Sequence, residues 1–326
     1  QDFYVMKLTS TGAVDWATAV DLDFNRSDDQ NATVFVANSL EESGLGDILI
    51  AGIANLDSDN TSLSPSEQYE PLVIEMTGGG APSAAYALDY AGFQDVGDVL
   101  HVGADRYILV GLTEDTQGGA TYFAARMDTD VSMQTNWAVT FGSAAAVGSN
   151  VQAGWAFDGG VIVTGPYSGA NAGIGSFKLS ALDGSHTDTP YRSVPTSGSV
   201  IDGVHDMTEI ANDDFVAIGT AETGTGRNED MWLLRVDDNA ALPFGSTAVN
   251  GEGVDAGFAV TSTPGSGIIA AGSSAADASD DDDAYVLRGD AKGSISGSSL
   301  TFVDEFMRYP IDSSDIGTSV GPLDVT

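Results

Sequence analysis

Short runs of β-branched and small apolar residues recur along the chain, each ending in glycine. They read ILIAG at Gly52, YILVG at Gly111, VIVTG at Gly165, VAIG at Gly219 and IIAAG at Gly272, at spacings of 59, 54, 54 and 53 residues. A polar loop follows each, then a second apolar run with a basic residue late in it: Arg126, Lys178, Arg235 and Arg288. The run after Gly52 carries Glu75 there, and the opening of the chain supplies the same run with Lys7. Runs this short between Gly/Asp turns are strands rather than helices. The glycine-ending run does not alternate cleanly, so it is expected to be covered on both faces.

A further strand follows the second run (DWATAV, SAAYALDY, NWAVTFG, and weaker versions at Tyr191, Phe244 and Leu300), and another precedes the glycine-ending run. Each unit is thus four short strands, a to d, in roughly 50 residues, the signature of propeller blades. The expected fold is all-β, a β-propeller of six four-stranded blades, with seven as the alternative count, in a single domain spanning 1–326. Its blades fall at 32–92 (with an insertion at 54–69), 95–142, 146–194, 199–248 and 251–303. Strands c and d of the closing blade lie at 1–23 and its strand a at 313–326, so both termini share that blade. Such sharing locks a ring and removes its edges. Strand b of the closing blade is missing from the pattern.

The units resemble the secreted bacterial, archaeal and algal propeller repeats that read D-G-G-h-h-h-x-G, a loop, then D-h-h-h-h-K-h-D, a glycine and a Trp strand. Asp158-Gly159-Gly160-Val161-Ile162-Val163-Thr164-Gly165 matches the first part and Asp230-Met231-Trp232-Leu233-Leu234-Arg235-Val236-Asp237 the second, with Trp16 and Trp137 in the Trp strand. The resemblance implies the fold, and its motifs are structural rather than catalytic.

Charge narrows the partners. The 48 acidic residues against 11 basic ones give a net charge of -37, a field that repels phosphate backbones and anionic lipids. Neither nucleic-acid binding nor membrane insertion is expected; there is also no apolar run long enough for a spanning helix. Asp supplies 37 of the acids, as suits a turn-rich chain whose loops are capped by short carboxylates. The chain lacks cysteine, which leaves the compartment open, and begins at Gln1, as a processed protein or a fragment would.

Three groups of residues are candidate sites. Asp21, Asp23, Asn25, Ser27 and Asp28 place oxygens at near-alternate positions, as a Ca²⁺-wrapping loop does, and Asp280, Asp281, Asp282 and Asp283 form a looser cluster. Arg26 occupies the place of an EF-hand glycine, and solvated loops are the plainer reading. Asn25, Asn31 and Asn60 head N-glycosylation sequons. The repeated cations Lys7, Arg126, Lys178, Arg235 and Arg288 are expected to pair with carboxylates of their own or the next blade. His101, His186 and His205 are isolated and expected to be structural.

The expected function is an extracellular or cell-surface, non-catalytic structural subunit that assembles with itself through its incomplete blade, with Ca²⁺ as the possible cofactor. The alternatives are an adhesin binding surface glycans, and a glycan hydrolase or lyase with carboxylates in a central channel.

Overall fold

The computed structural model describes residues 3–20, 35–43, 46–55, 69–89, 94–103, 106–114, 119–128, 134–142, 144, 150–156, 158–168, 173–186, 191–195, 200–210, 214–223, 228–240, 247–250, 254–265, 267–275, 283–290, 301–302, 306–310 and 324–325. Among them there is no helix, and the strands form small antiparallel sheets. The chain divides into two compact units, 1–140 with 319–326, and 141–318.

The first sheet is the pair β1 (Phe3–Leu8) and β2 (Val14–Val20). Next come β3 (Phe35–Glu42), β4 (Ile48–Asn55), β5 (Tyr69–Met76) and β6 (Pro82–Asp89), then β7 (Gln94–His101), β8 (Arg106–Glu114), β9 (Ala120–Asp128) and β10 (Gln134–Phe141). The second unit continues with β11 (Gln152–Trp155), β12 (Gly160–Tyr167), β13 (Gly173–Ser180) and β14 (Tyr191–Pro195). A further set is β15 (Val200–Glu209), β16 (Phe215–Thr223), β17 (Asn228–Val236) and β18 (Thr247–Asn250), and the last is β19 (Val254–Thr263), β20 (Gly267–Ala275) and β21 (Asp283–Gly289). Each set pairs neighbour to neighbour, so the sequence units are the sheets.

Three short strands late in the chain depart from expectation. β22 (Thr301–Phe302) pairs with β18, β23 (Phe306–Pro310) with β14, and β24 (Asp324–Val325) with β6. Each adds a fifth strand to an outer edge and covers main-chain groups that would otherwise be open to foreign strands. The strand expected at Leu300 to complete 251–303 is therefore on the preceding sheet, and β19–β21 has three strands among the described residues. The expected strand a at 313–323 lies outside the described residues; Asp324–Val325, instead of joining β1 and β2, lies on β6.

The glycine-ending strands are the core. β12 is buried at every position, and β8 at all but its two ends, as two-sided coverage requires. Between sheets the cores interdigitate. Val216, Ile218, Met231 and Leu233 pack with Val260, Ile268 and Ala270, and Val5 and Val20 pack with Ile48, Ile50 and Leu72. Trp16, in β2, donates from Nε1 to the Gly78 carbonyl at 3.1 Å, and Thr18 Oγ1 donates to that of Gly80 at 2.6 Å. Gly80 has φ +83°, and a Cβ there would lie 2.5 Å from the Trp16 ring, so the turn between β5 and β6 admits only glycine.

Candidate functional site: strand bulges, cation pairs and two open faces

The first strand of four sheets, the one that precedes the glycine-ending strand, is bulged. The pairing slips by one residue between Ala37 and Ser39, Val96 and Asp98, Val204 and Asp206, and Gly257 and Ala259. The glycine that ends the neighbouring apolar run faces this bulge. A Cβ on Gly52, Gly111, Gly219 or Gly272 would sit 2.1, 1.9, 2.1 or 2.1 Å from a carbonyl oxygen of the bulged strand. Close backbone approach therefore fixes the repeated glycine.

The bulges also carry polar latches from sheet to sheet. Asn38 donates from Nδ2 to the Val96 carbonyl at 2.7 Å and to Asp95 Oδ1 at 3.0 Å, while Ser39 Oγ donates to Asp98 Oδ1 at 2.5 Å. Asp206 occupies the same repeat position as Asp98 and accepts from the Val260 N–H at 2.7 Å. Burial pushes the Asp95 carboxyl up to about 6, against the smaller opposing effect of the Asn38 bond, and burial likewise raises Asp206. None of these residues stood out in the sequence; the signal for them was the mid-strand glycine, which implies a bulge opposite it.

The repeated cations make short-range ties. Lys178 Nζ lies 2.7 Å from Asp158 Oδ2, Arg126 engages Asp128 through Nε and Nη2 at 3.0 and 3.2 Å, and Arg235 pairs with Asp214. Those three partners belong to the cation's own sheet or its leading turn. Lys7 reaches Glu42 of the neighbouring sheet at 3.7 Å. Arg288 is exposed and forms no ion pair with a described residue. The Lys178 ammonium holds the Asp158 carboxyl below its ordinary range.

Each histidine has its own packing partners. His186 packs edge-on to Phe141 with ring centroids 5.5 Å apart, and burial lowers its pKa. Burial also lowers His205, whose Nδ1 is 2.7 Å from Asn150 Nδ2; His101 tilts against Tyr107 in the other unit. Among the described residues no three His, Asp or Glu are grouped to hold a metal. The candidates Asp21, Asp23, Asn25, Ser27, Asp28, Asp280, Asp281 and Asp282, and the sequons at Asn31 and Asn60 with that at Asn25, lie outside the described residues. Asp283 opens β21 opposite Ser274.

Among the described residues, exposed large apolar side chains gather on two sheets, besides Val36 and Leu40 of β3, Phe258 of β19 and Leu182. On β1 and β2, Tyr4, Met6, Leu8 and Val14 are exposed, Tyr4 to 77 % and Met6 to 56 %. On β20 and β21, Ile269 and Val286 are exposed, Val286 to 69 %. Beside β1 an open cleft of about 360 Å³ is lined by Tyr4, Val5 and Met6 on one side and Asn38, Ser39 and Leu40 of β3 on the other.

No protein-family model matches the chain, and no curated protein does either. Among solved structures, the chain is similar to MPT-4, a mannose phosphorylase from Leishmania mexicana determined in complex with phosphate ion. The identity is 12 %, the match covers 83 % of this chain and 94 % of that one, and the TM-score is 0.35, too low to carry an argument about fold or activity.

Proposed function

We propose that this protein is an extracellular, non-catalytic structural subunit that assembles with copies of itself through the edge of its β1–β2 sheet, its sheets being propeller-type blades. The observation that carries the reading is the edge of β1: among the described residues it pairs with β2 alone, and an open cleft runs alongside it. The edge of β1 beside the cleft can take a strand from another chain by β-augmentation.

The charge supports regulated rather than spontaneous assembly. At -37 the copies repel one another until cations screen the field, and divalent ions such as Ca²⁺ at the Asp-rich loops are the efficient means of doing so. Sugar at Asn25, Asn31 and Asn60 would decorate the blade that holds the 54–69 insertion. Light scattering of the purified protein tests the reading. Particle mass is expected to grow with protein concentration and with added calcium; mass that stays at 33.5 kDa throughout would contradict it.

A further inference from the structure

β3 serves two neighbours with the same residues. On one side it reaches the following sheet: Asn38 Nδ2 donates to Asp95 Oδ1 and the Val96 carbonyl, and Ser39 Oγ donates to Asp98 Oδ1 while accepting from the Val99 N–H at 3.3 Å. On the other side Asn38, Ser39 and Leu40 form one wall of the cleft whose opposite wall is Tyr4, Val5 and Met6 of β1. β1, β3 and β7 all belong to the first compact unit. A displacement of β3 at its bulge therefore changes the seam with β7 and the cleft together.

The seam is held by acids. Asp98 is 9 % exposed and Asp95 is half-buried. Further along, the Glu41 carboxylate accepts from the His101 N–H of β7. Burial raises the carboxyls of both Asp95 and Glu41 and outweighs the hydrogen bond that opposes it in each case. The strands packed here bring few cations to them. Lys7 of β1 is engaged by Glu42, the other acid of β3. β4 carries no charged residue, and β5 carries only Glu70 and Glu75. On β8, Glu114 lies past the Gln94 end of the ladder with β7, and Arg106 lies past its His101 end. His101, which also acts on Glu41 through its charge, is the one base on β7.

We propose that the β3–β7 seam is a proton-operated wall of the β1 cleft: in acid its carboxylates take up protons and the seam draws together, and Asn38 and Ser39 pass that change to the cleft. Burial sets the direction. The stability that Asp95 contributes is complete below its ordinary value of 3.8 and is lost as pH rises through about 6. Above that range the seam holds buried charge, which water relieves by entering between the sheets. The consequence for strand addition at the β1 edge rests on the self-assembly reading. A β3 ordered by acid presents a fixed wall to the incoming strand, so assembly is favoured in acid.

Methyl NMR of the full chain tests the coupling. Met6 and Leu40 both line the cleft, and their signals are identified by their loss in Met6→Leu and Leu40→Ile. Both signals are expected to shift with a midpoint of about pH 6, and to stay fixed over the same range in Asp95→Asn. Signals that do not move would overturn the proposal, as would a titration unchanged in Asp95→Asn, which would belong to His101. Glu209→Gln removes one exposed charge in the other unit and is expected to titrate like the wild type; a titration lost there too would make the effect one of net charge and overturn the seam. Light scattering at about pH 5 and about pH 7.5, on either side of the Asp95 midpoint, separates this proposal from the reading it rests on. Larger particles are expected at the lower pH, with the difference reduced in Asp95→Asn and kept in Glu209→Gln. Methyl titration without growth at either pH would overturn self-assembly and uphold the seam. Growth without methyl titration would overturn the seam alone.

Discussion

Gly111 faces the carbonyl oxygen of Asp95 so closely that a Cβ built on it would lie 1.9 Å away. The clash is with backbone, which cannot step aside as a flexible side chain does. Gly111→Ala is therefore expected to destabilise the protein by about 2–3 kcal/mol or more, through overpacking that shifts the bulge. Gly159→Ala is the control: its φ of +87° disfavours a side chain, but nothing lies within 4 Å. It is expected to cost about 1–2 kcal/mol, the left-handed penalty alone. Thermal unfolding of the two variants should rank them in that order; equal losses would remove the close-approach explanation of the repeat.

Lys178 has a side chain only 2 % exposed, and its ammonium meets Asp158 at 2.7 Å. Asp158→Asn takes away the charge that compensates a buried cation. A loss of about 2–4 kcal/mol is expected, below the upper end for buried pairs because Asp158 itself is half exposed. The lowered Asp158 pKa contributes stability that is present above the ordinary carboxylate range and lost as pH falls through the folded value. Urea titrations should show the wild type and variant converging as pH drops below about 4.

Asp95 behaves with the opposite sign. Its folded pKa of about 6 exceeds the ordinary value of 3.8, so the folded protein holds this proton more tightly than the unfolded chain. The stability it contributes is complete below pH 4 and is lost as pH rises through 6. Asp95→Asn keeps an acceptor for Asn38 and removes the buried charge. The variant is expected to equal the wild type near pH 4 and to exceed it by about 1–2 kcal/mol at pH 7. Chemical unfolding at both values checks this; a variant less stable at pH 7 would contradict it.

Self-repulsion at -37 also acts on the single chain. Raising sodium chloride from about 0.01 to 1 M shortens the screening length from about 30 to 3 Å. The thermal midpoint is expected to rise with it by several degrees in dilute protein, where assembly plays no part. Calorimetry across that range provides the check, and a falling midpoint would show that the ion pairs outweigh the repulsion.

The order of the strands was legible in the sequence because a backbone constraint, the glycine against the bulge, recurs at fixed spacing and leaves no choice of residue. The cation position was legible for a similar reason: Arg126, Lys178 and Arg235 each meet a carboxylate a few residues away along the chain or across one strand. Ser39 with Asp98, and Asp206 with Val260, were not. Those latches depend on a one-residue slip that turns a side chain toward the next sheet, and a Ser or Asp in a strand has no periodic signature of that role. The edge strands β22, β23 and β24 were illegible for another reason. Two to five residues pair with distant strands, and neither Thr301–Phe302 nor Asp324–Val325 is long enough to show alternation. The exposed apolar side chains could be seen only in the structure, since Val286 and Leu233 are equally apolar in sequence.

Negative-stain imaging of the purified protein in calcium, then after chelation, separates assembly through the β1–β2 sheet from a lone chain. Filaments or extended arrays are expected in calcium, and they shorten or disperse when the cation is removed. Compact, separate particles of one chain in both conditions would contradict it.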